Sequence, residues 1–174
     1  NGRGLGWSPS GEFLAVAHVN SPFVSVYQRD GTTLTKVADP ASLPPAQGNQ
    51  VAWSPNGQFF AVAHNSSPFV TIYERTGLTE FTMLADPTSL PASTGRYIAW
   101  SPDSQFLTVA HDTSPRQTTY QRSGTTFTKI ADPASIPNSD GQGAAWSPNG
   151  QYLALSTSGT PFIAIYQRED TTLT

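Results

Sequence analysis

Four tryptophans set the frame of this chain. Trp7, Trp53, Trp100 and Trp146 each open a Trp-Ser-Pro triplet, at intervals of 46, 47 and 46 residues. A tyrosine follows each at one fixed distance, as Tyr27, Tyr73, Tyr120 and Tyr166. Self-similarity at this period is the mark of a repeat architecture, in which one supersecondary unit recurs and stacks on its neighbours. It also limits what the repeated residues can mean. A side chain present in every unit has building that unit as its first role. Residues 7–30 and 53–76 agree at fifteen of twenty-four positions without a gap, so the copies are close. Copy two carries one extra residue near Leu78-Thr79, in a turn, where insertions are tolerated.

Within the second copy, Gln50-Val51-Ala52-Trp53 is a short strand-forming stretch and Ser54-Pro55-Asn56-Gly57 is a turn. Proline presets φ early in such a turn, and glycine supplies the positive φ that closes it. Gln58 to His64 reads as a second strand, Phe69-Val70-Thr71-Ile72-Tyr73 as a third after the Ser67-Pro68 break, and Phe81 to Leu84 as a fourth. Fifteen prolines punctuate the chain, and no segment carries a helical apolar period over three turns. The second strand alternates large residues with small ones (Phe60 and Val62 against Ala61 and Ala63), which lets a neighbouring sheet approach closely. Four short antiparallel strands repeated at this period make the blade of a β-propeller. The expected fold is therefore all-β, with blades at roughly 1–46, 47–93, 94–139 and 140–174 of a single unit spanning 1–174.

The unit resembles a WD-repeat blade. The resemblance rests on the Trp-Ser-Pro-Asn-Gly hairpin (Ser-Pro-Asp-Ser at Ser101 to Ser104) and on the apolar third strand ending in an aromatic. The chain departs from that family in having no Gly-His pair before the first strand. No Trp-Asp closes the third, where Tyr73-Glu74-Arg75 stands instead. The family's His-Ser-Asp-Trp network therefore does not carry over intact. The resemblance implies a ring of six to eight blades. It also makes the second-strand end a position that hydrogen-bonds the third-strand aromatic.

Only 12% of residues are charged, about half the usual share, with a net charge of −3 and a pI near 5.4. A basic stripe is lacking, so nucleic acid is not an expected partner. No run approaches the ~18 apolar residues that cross a bilayer, and no secretory leader opens the chain, so no membrane association is expected. Cysteine is absent, which excludes disulfides and thiolate chemistry. A surface rich in Ser, Thr, Asn and Gln fits an extracellular or virion setting.

Three polar sets recur. His18, His64 and His111, with Thr157 in the fourth copy, stand at the end of the second strand. Sheets pack ~10 Å apart, too far for one zinc ion whose ligand atoms lie within ~2.1 Å. These residues are therefore expected to pair inside their own blades, with Tyr27, Tyr73 or Tyr120 or with a nearby Asp. Asp39, Asp86 and Asp132, in Ala-Asp-Pro triplets, and the arginines after each tyrosine (Arg29, Arg75, Arg122 and Arg168) are expected to tie turns by carboxylate–guanidinium pairs. Tyr166 belongs to the same structural set. No catalytic residue, metal ligand or cofactor is assigned, because a Ser/His/Asp triad is one asymmetric site and not three copies round a ring.

Function is expected where near-copies diverge. The loop entering the first strand reads Asn1-Gly2-Arg3-Gly4, Gln47-Gly48-Asn49-Gln50, Thr94-Gly95-Arg96-Tyr97 and Asp140-Gly141-Gln142-Gly143. Arg3, Asn49, Gln50, Arg96, Tyr97 and Gln142 are the candidate ligand-binding residues, a polar rim at the mouth of the central channel suited to a glycan or a protein ligand such as a peptide. Copy three also replaces an apolar third strand by Arg116-Gln117-Thr118-Thr119. Such a strand is expected to lie in a wetter place, or to meet a partner or the next blade through hydrogen bonds.

Four such blades are too few for comfortable closure, and the fourth copy ends at Thr174, within its outermost strand. The expectation is that two chains pair as a homodimer about a twofold axis to complete an eight-bladed ring. A strained four-bladed closure or a longer array are the alternatives. The function read from the sequence is a non-enzymatic scaffold for binding or recognition. A structural or engineered repeat protein without a ligand stands second, and a hydrolytic enzyme third.

Overall fold

In the computed structural model, which describes residues 1–174, sixteen strands form four separate four-stranded sheets. Blade one holds β1 (Gly2–Trp7), β2 (Phe13–His18), β3 (Val24–Asp30) and β4 (Thr33–Lys36). Blade two holds β5 (Gly48–Trp53), β6 (Phe59–His64), β7 (Val70–Arg75) and β8 (Phe81–Met83). Blade three holds β9 (Gly95–Trp100), β10 (Phe106–His111), β11 (Gln117–Ser123) and β12 (Thr126–Lys129). Blade four holds β13 (Gly141–Trp146), β14 (Tyr152–Thr157), β15 (Ile163–Glu169) and β16 (Thr172–Leu173). Within each blade the strands pair antiparallel in sequence order.

The repeated turn works as its residues dictate. Ser54 Oγ accepts the Phe59 N–H at 3.0 Å, and the Gly57 N–H reaches Ser54 O at 2.8 Å. Gly57 takes φ +71°, as Gly11 and Gly150 take +68° and +69°, while Ser104 takes +59° in copy three. The first strands of successive blades lie against each other, which places β1, β5, β9 and β13 on the inner side.

The core lies between blades. Three apolar clusters occupy the three junctions, and each junction repeats one aromatic sandwich. Phe13 stacks on Trp53, and Phe59 on Trp100, at centroid distances of 6.0 and 6.3 Å; Phe106 packs on Trp146 at 5.9 Å. An arginine of the following blade covers each phenylalanine: Arg75 over Phe13 at 4.6 Å, Arg122 over Phe59 at 5.1 Å and Arg168 over Phe106 at 5.0 Å. Cation–π contacts of this kind contribute ~0.5–2 kcal/mol each. The Tyr73, Tyr120 and Tyr166 hydroxyls each donate to a carbonyl of the preceding linker, Ser42, Ser89 and Ser135, at 3.0, 2.8 and 3.1 Å.

Three expectations about polar residues are corrected. The histidines pair within their blades, but with hydroxyls and not with Tyr or Asp. His18 Nε2 lies 3.1 Å from Ser25 Oγ, His64 Nε2 2.9 Å from Thr71 Oγ1, and His111 Nε2 3.0 Å from Thr118 Oγ1. Register is the reason, since Tyr73 sits opposite Phe60, at the far end of the strand from His64. Thr157 turns its hydroxyl to Gly159 O.

The arginines after the tyrosines do not meet the Ala-Asp-Pro carboxylates either. Arg75 reaches Glu12 and Arg168 reaches Asp103, each on the blade before, at 3.2 and 2.8 Å. Asp39 and Asp132 pair with Lys36 and Lys129, and Met83 stands where Asp86 would need a lysine. Finally, the polar third strand of copy three is not wet: Arg116 meets the next blade at Asp140, one of the expected alternatives, while the rest of the strand turns to its own sheet. Gln117, Thr118 and Thr119 are buried and satisfied within their own sheet. Thr119 Oγ1 lies 2.9 Å from Thr108 Oγ1 and donates to Gln117 Oε1 at 2.6 Å. Thr108 replaces the alanine of the other copies, Ala15, Ala61 and Ala154.

Candidate functional site

Each innermost strand begins with a glycine followed by a residue that the ladder skips. Gly48 pairs with His64 and Gln50 with Ala63, which leaves Asn49 as a β-bulge. The same register shift leaves Arg3 between Gly2 and Gly4, Arg96 between Gly95 and Tyr97, and Gln142 between Gly141 and Gly143. A bulge re-aims a side chain and often stands beside a functional site. The glycine before it is required by packing. A Cβ on Gly48 would lie 2.7 Å from Phe23 O of the preceding blade, and Gly95 and Gly141 press likewise on Phe69 O and Arg116 O.

The four bulged residues, one per blade, line one cavity of about 340 Å³, and no other residue lines it. Four of the six candidates from the divergent loops thus meet. The other two stand one position further along, where the pleat points the opposite way. Gln50 lies beneath Gly4, its Oε1 buried. Tyr97 is partly exposed and lines a second cavity of about 400 Å³ with Ala144, Ala154 and Ile163, joined to the first through Gln142.

Charge at the mouth is uneven. Arg96 is held bidentate by Asp112, Nε to Oδ1 at 2.6 Å and Nη2 to Oδ2 at 2.9 Å, bonds that raise its guanidinium above its ordinary range. Asn49 Nδ2 donates to Asn65 Oδ1 at 2.5 Å and to Gly95 O at 2.8 Å. Arg116 pairs with Asp140 at 2.9 Å and also donates to Asp112 O. Arg3 forms no ion pair. Its one side-chain hydrogen bond is Nη1 to Asn49 Oδ1 at 3.3 Å, because Val19 stands where copies two and three place Asn65 and Asp112. The mouth therefore carries a single uncompensated positive charge. Asn65, Asp112, Arg116 and Asp140 were not among the candidates. The signal for the first two was the divergent position directly after each second strand, read together with the bulge across from it.

The histidines belong elsewhere. Burial drives His64 down to about 4, and His111 in the same direction. Burial likewise raises the Tyr73, Tyr120 and Tyr166 hydroxyls above their ordinary range. Each histidine stays in its own blade, and no group of three metal-ligating side chains converges anywhere in the chain.

Residues 3–123 match the family model of the ELP1 first N-terminal β-propeller. The chain belongs to that family. No curated protein matches it. Among solved structures this ELP1-type propeller is similar to a candidate 6-phosphogluconolactonase from Bacteroides uniformis ATCC 8492, with a TM-score of 0.81 and 17% identity. A second candidate 6-phosphogluconolactonase, from Bacteroides fragilis NCTC 9343, gives 0.79 and 14%. A functionally unknown protein from Desulfotomaculum acetoxidans DSM 771 gives 0.78 and 15%. All three matches cover 100% of this chain but 53, 53 and 54% of the other, so the chain spans about half the length of these proteins. At such identities the likeness establishes the fold. It also overturns the expectation of a non-enzymatic scaffold in so far as that expectation came from the fold, because two of these chains of the same fold are candidate 6-phosphogluconolactonases. The expectation of no enzyme rests on the repeated Ser, His and Asp residues forming equivalent copies and no single asymmetric triad, whereas the divergent bulged residues line one asymmetric cavity.

Proposed function

We propose that this propeller is hydrolytic and that the ring of bulged residues holds its substrate, a small lactone or ester carrying an anionic group. The observation that carries this reading is the cavity lined by Arg3, Asn49, Arg96 and Gln142 alone, with Arg3 as its one unneutralised cation. Arg3 takes the anionic group as a charge-assisted hydrogen-bond donor. The Gln142 amide is placed to donate to the ester carbonyl oxygen as negative charge develops there. Asp112 holds Arg96 at the rim through both of its oxygens and does not line the cavity, so the attacking water passes its proton to a second water, which returns it to the leaving oxygen. Water adds to the carbonyl carbon, the ring C–O bond breaks, and the hydroxy acid leaves with the proton on its new hydroxyl. The likeness to candidate 6-phosphogluconolactonases supports a phosphorylated sugar lactone as the first substrate to try. Acid release from 6-phosphogluconolactone, followed at constant pH, is expected to exceed the uncatalysed rate. Arg3→Ala is expected to lower it roughly 100-fold, the usual scale for losing one site donor. Wild-type turnover no faster than buffer, or an Arg3→Ala variant as fast as wild type, would overturn the reading.

We also infer that a second copy of the chain completes the ring, two sets of four blades giving eight about a twofold axis. The half-length match to solved propellers and the exposed apolar faces of blades one and four support this. Light scattering is expected to give twice the single-chain mass of 18.6 kDa, and a solution mass of one chain contradicts it.

A further inference from the structure

The three junctions inside the chain are a template for a fourth. At each, the preceding blade supplies a phenylalanine and the following blade supplies the tryptophan and arginine that sandwich it. Blade four ends this series with an unmatched ring, Tyr152, at the position of Phe13, Phe59 and Phe106. Blade one begins it with an unmatched pair, Trp7 and Arg29. The exposures follow. Trp53 and Trp100 are 7 and 8% exposed, but Trp7 is 46% exposed; Phe13, Phe59 and Phe106 are 0 to 4% exposed, but Tyr152 is 43% exposed. Ile165 is 63% exposed where its equivalent Ile72 is 3% exposed. A cavity of about 540 Å³ with a mainly apolar lining opens over Ile163 and Ile165 on that same face.

Glycine gives an independent sign. Gly48, Gly95 and Gly141 are glycine because a carbonyl of the blade before leaves no room for a Cβ. Gly2 holds the same position, yet within its own chain a Cβ there would meet nothing nearer than Val16 at 3.8 Å. The carbonyl that fits against it is Phe162 O, the counterpart of Phe23, Phe69 and Arg116, already placed by the Thr157 N–H as the others are by His18, His64 and His111. Tyr27 repeats the pattern. Its three equivalents each donate to a preceding-linker carbonyl, and for Tyr27 that linker lies beyond blade one.

We propose that the blade-four face of one chain seats the blade-one face of a second copy in the geometry of the internal junctions. Trp7 and Arg29 close on the partner copy's Tyr152 ring, and Gly2 lies under its Phe162 carbonyl. The interface is head-to-tail, and in a twofold dimer it forms twice. It rests on the inference that a second copy completes the ring, and it adds which atoms make the seam.

The test is sedimentation velocity on wild type, Gly2→Leu, Tyr152→Ala and the turn variant Leu78→Ala, with circular dichroism on each. Wild type and Leu78→Ala are expected as dimers. Gly2→Leu is expected to keep the wild-type spectrum but sediment as a monomer, since its own chain accommodates the side chain. Tyr152→Ala is expected to raise the dimer dissociation constant roughly 100-fold, the scale of an interface hot spot. Wild type and Gly2→Leu dimers of equal affinity would overturn the seam and leave the ring standing. Equal affinity of wild type and Tyr152→Ala would do the same. A monomeric wild type would remove the ring, and the seam with it.

Discussion

His64 shows how a repeated polar residue can be structural and still govern a measurable property. It is fully buried, with Nε2 on the Thr71 hydroxyl, and burial lowers its pKa from 6.5 to about 4. Above pH 6.5 the imidazole is neutral in both folded and unfolded chains, and the stability it contributes is fully present. Between 6.5 and 4 the unfolded chain takes up a proton that the folded chain refuses, so stability is lost as the pH falls. A shift of this size corresponds to roughly 3 kcal/mol over that window, and His111, lowered in the same direction, adds to it. Urea midpoints measured at pH 7 and 4.5 should therefore drop markedly in wild type and less in His64→Gln. A wild-type midpoint that does not move across that range rules out the buried neutral imidazole. The position and burial of these histidines were legible from their recurrence at a strand end. Their partners were not, because choosing Thr71 over Tyr73 requires the β6–β7 register, and a residue count does not contain it.

At the scale of the element, the divergent strand β11 shows local compensation. Thr119 replaces the apolar Val26, Ile72 and Ile165 of its sister strands, and Thr108, directly across the ladder, replaces an alanine. The two hydroxyls satisfy each other at 2.9 Å with both side chains fully buried. Thr119→Ile alone would strand the Thr108 hydroxyl and the Gln117 Oε1, at a cost of ~1–3 kcal/mol for each unsatisfied group. Adding Thr108→Ala recreates the Ala61–Ile72 pair of blade two and should recover at least half of that loss. Urea denaturation of both single variants and the double variant measures the coupling. Simple additivity would show that the pair is not a unit. Strands, hairpins and the positive-φ turn glycines were readable because each is dictated by neighbours in sequence. The bulges were not. Asn49 is displaced from its ladder beside a glycine whose missing Cβ is required by a carbonyl of another blade, about 25 residues away.

At the scale of the molecule, repetition and asymmetry divide the work. The Phe–Trp–Arg sandwiches make every junction alike, while the bulged positions, one per blade, vary from Arg to Asn to Arg to Gln round a shared cavity. Comparing copies singled out those four side chains. Their place at the channel mouth followed from their lead-in to the innermost strands, but the contrast between neutralised Arg96 and free Arg3 required the contacts of the folded array. Weighing the repeated Ser, His and Asp residues also led to the non-enzymatic expectation, since equivalent copies round a ring make no single asymmetric reactive set. The same division predicts how the chain melts. If each internal junction buries a sandwich and the two end faces bury theirs only by association, unfolding a dimer yields two chains, and stability grows with concentration. A tenfold rise in protein adds about 1.4 kcal/mol per mole of dimer. Spread over the unfolding entropy of two such chains, this is roughly 2 °C in Tm. Calorimetry across a hundredfold concentration range should thus move the wild-type Tm upward by roughly 4 °C. The Tm of Gly2→Leu should stay constant over the same range. A wild-type Tm independent of concentration would mean that the apolar faces of blades one and four stay uncovered when the chain is folded.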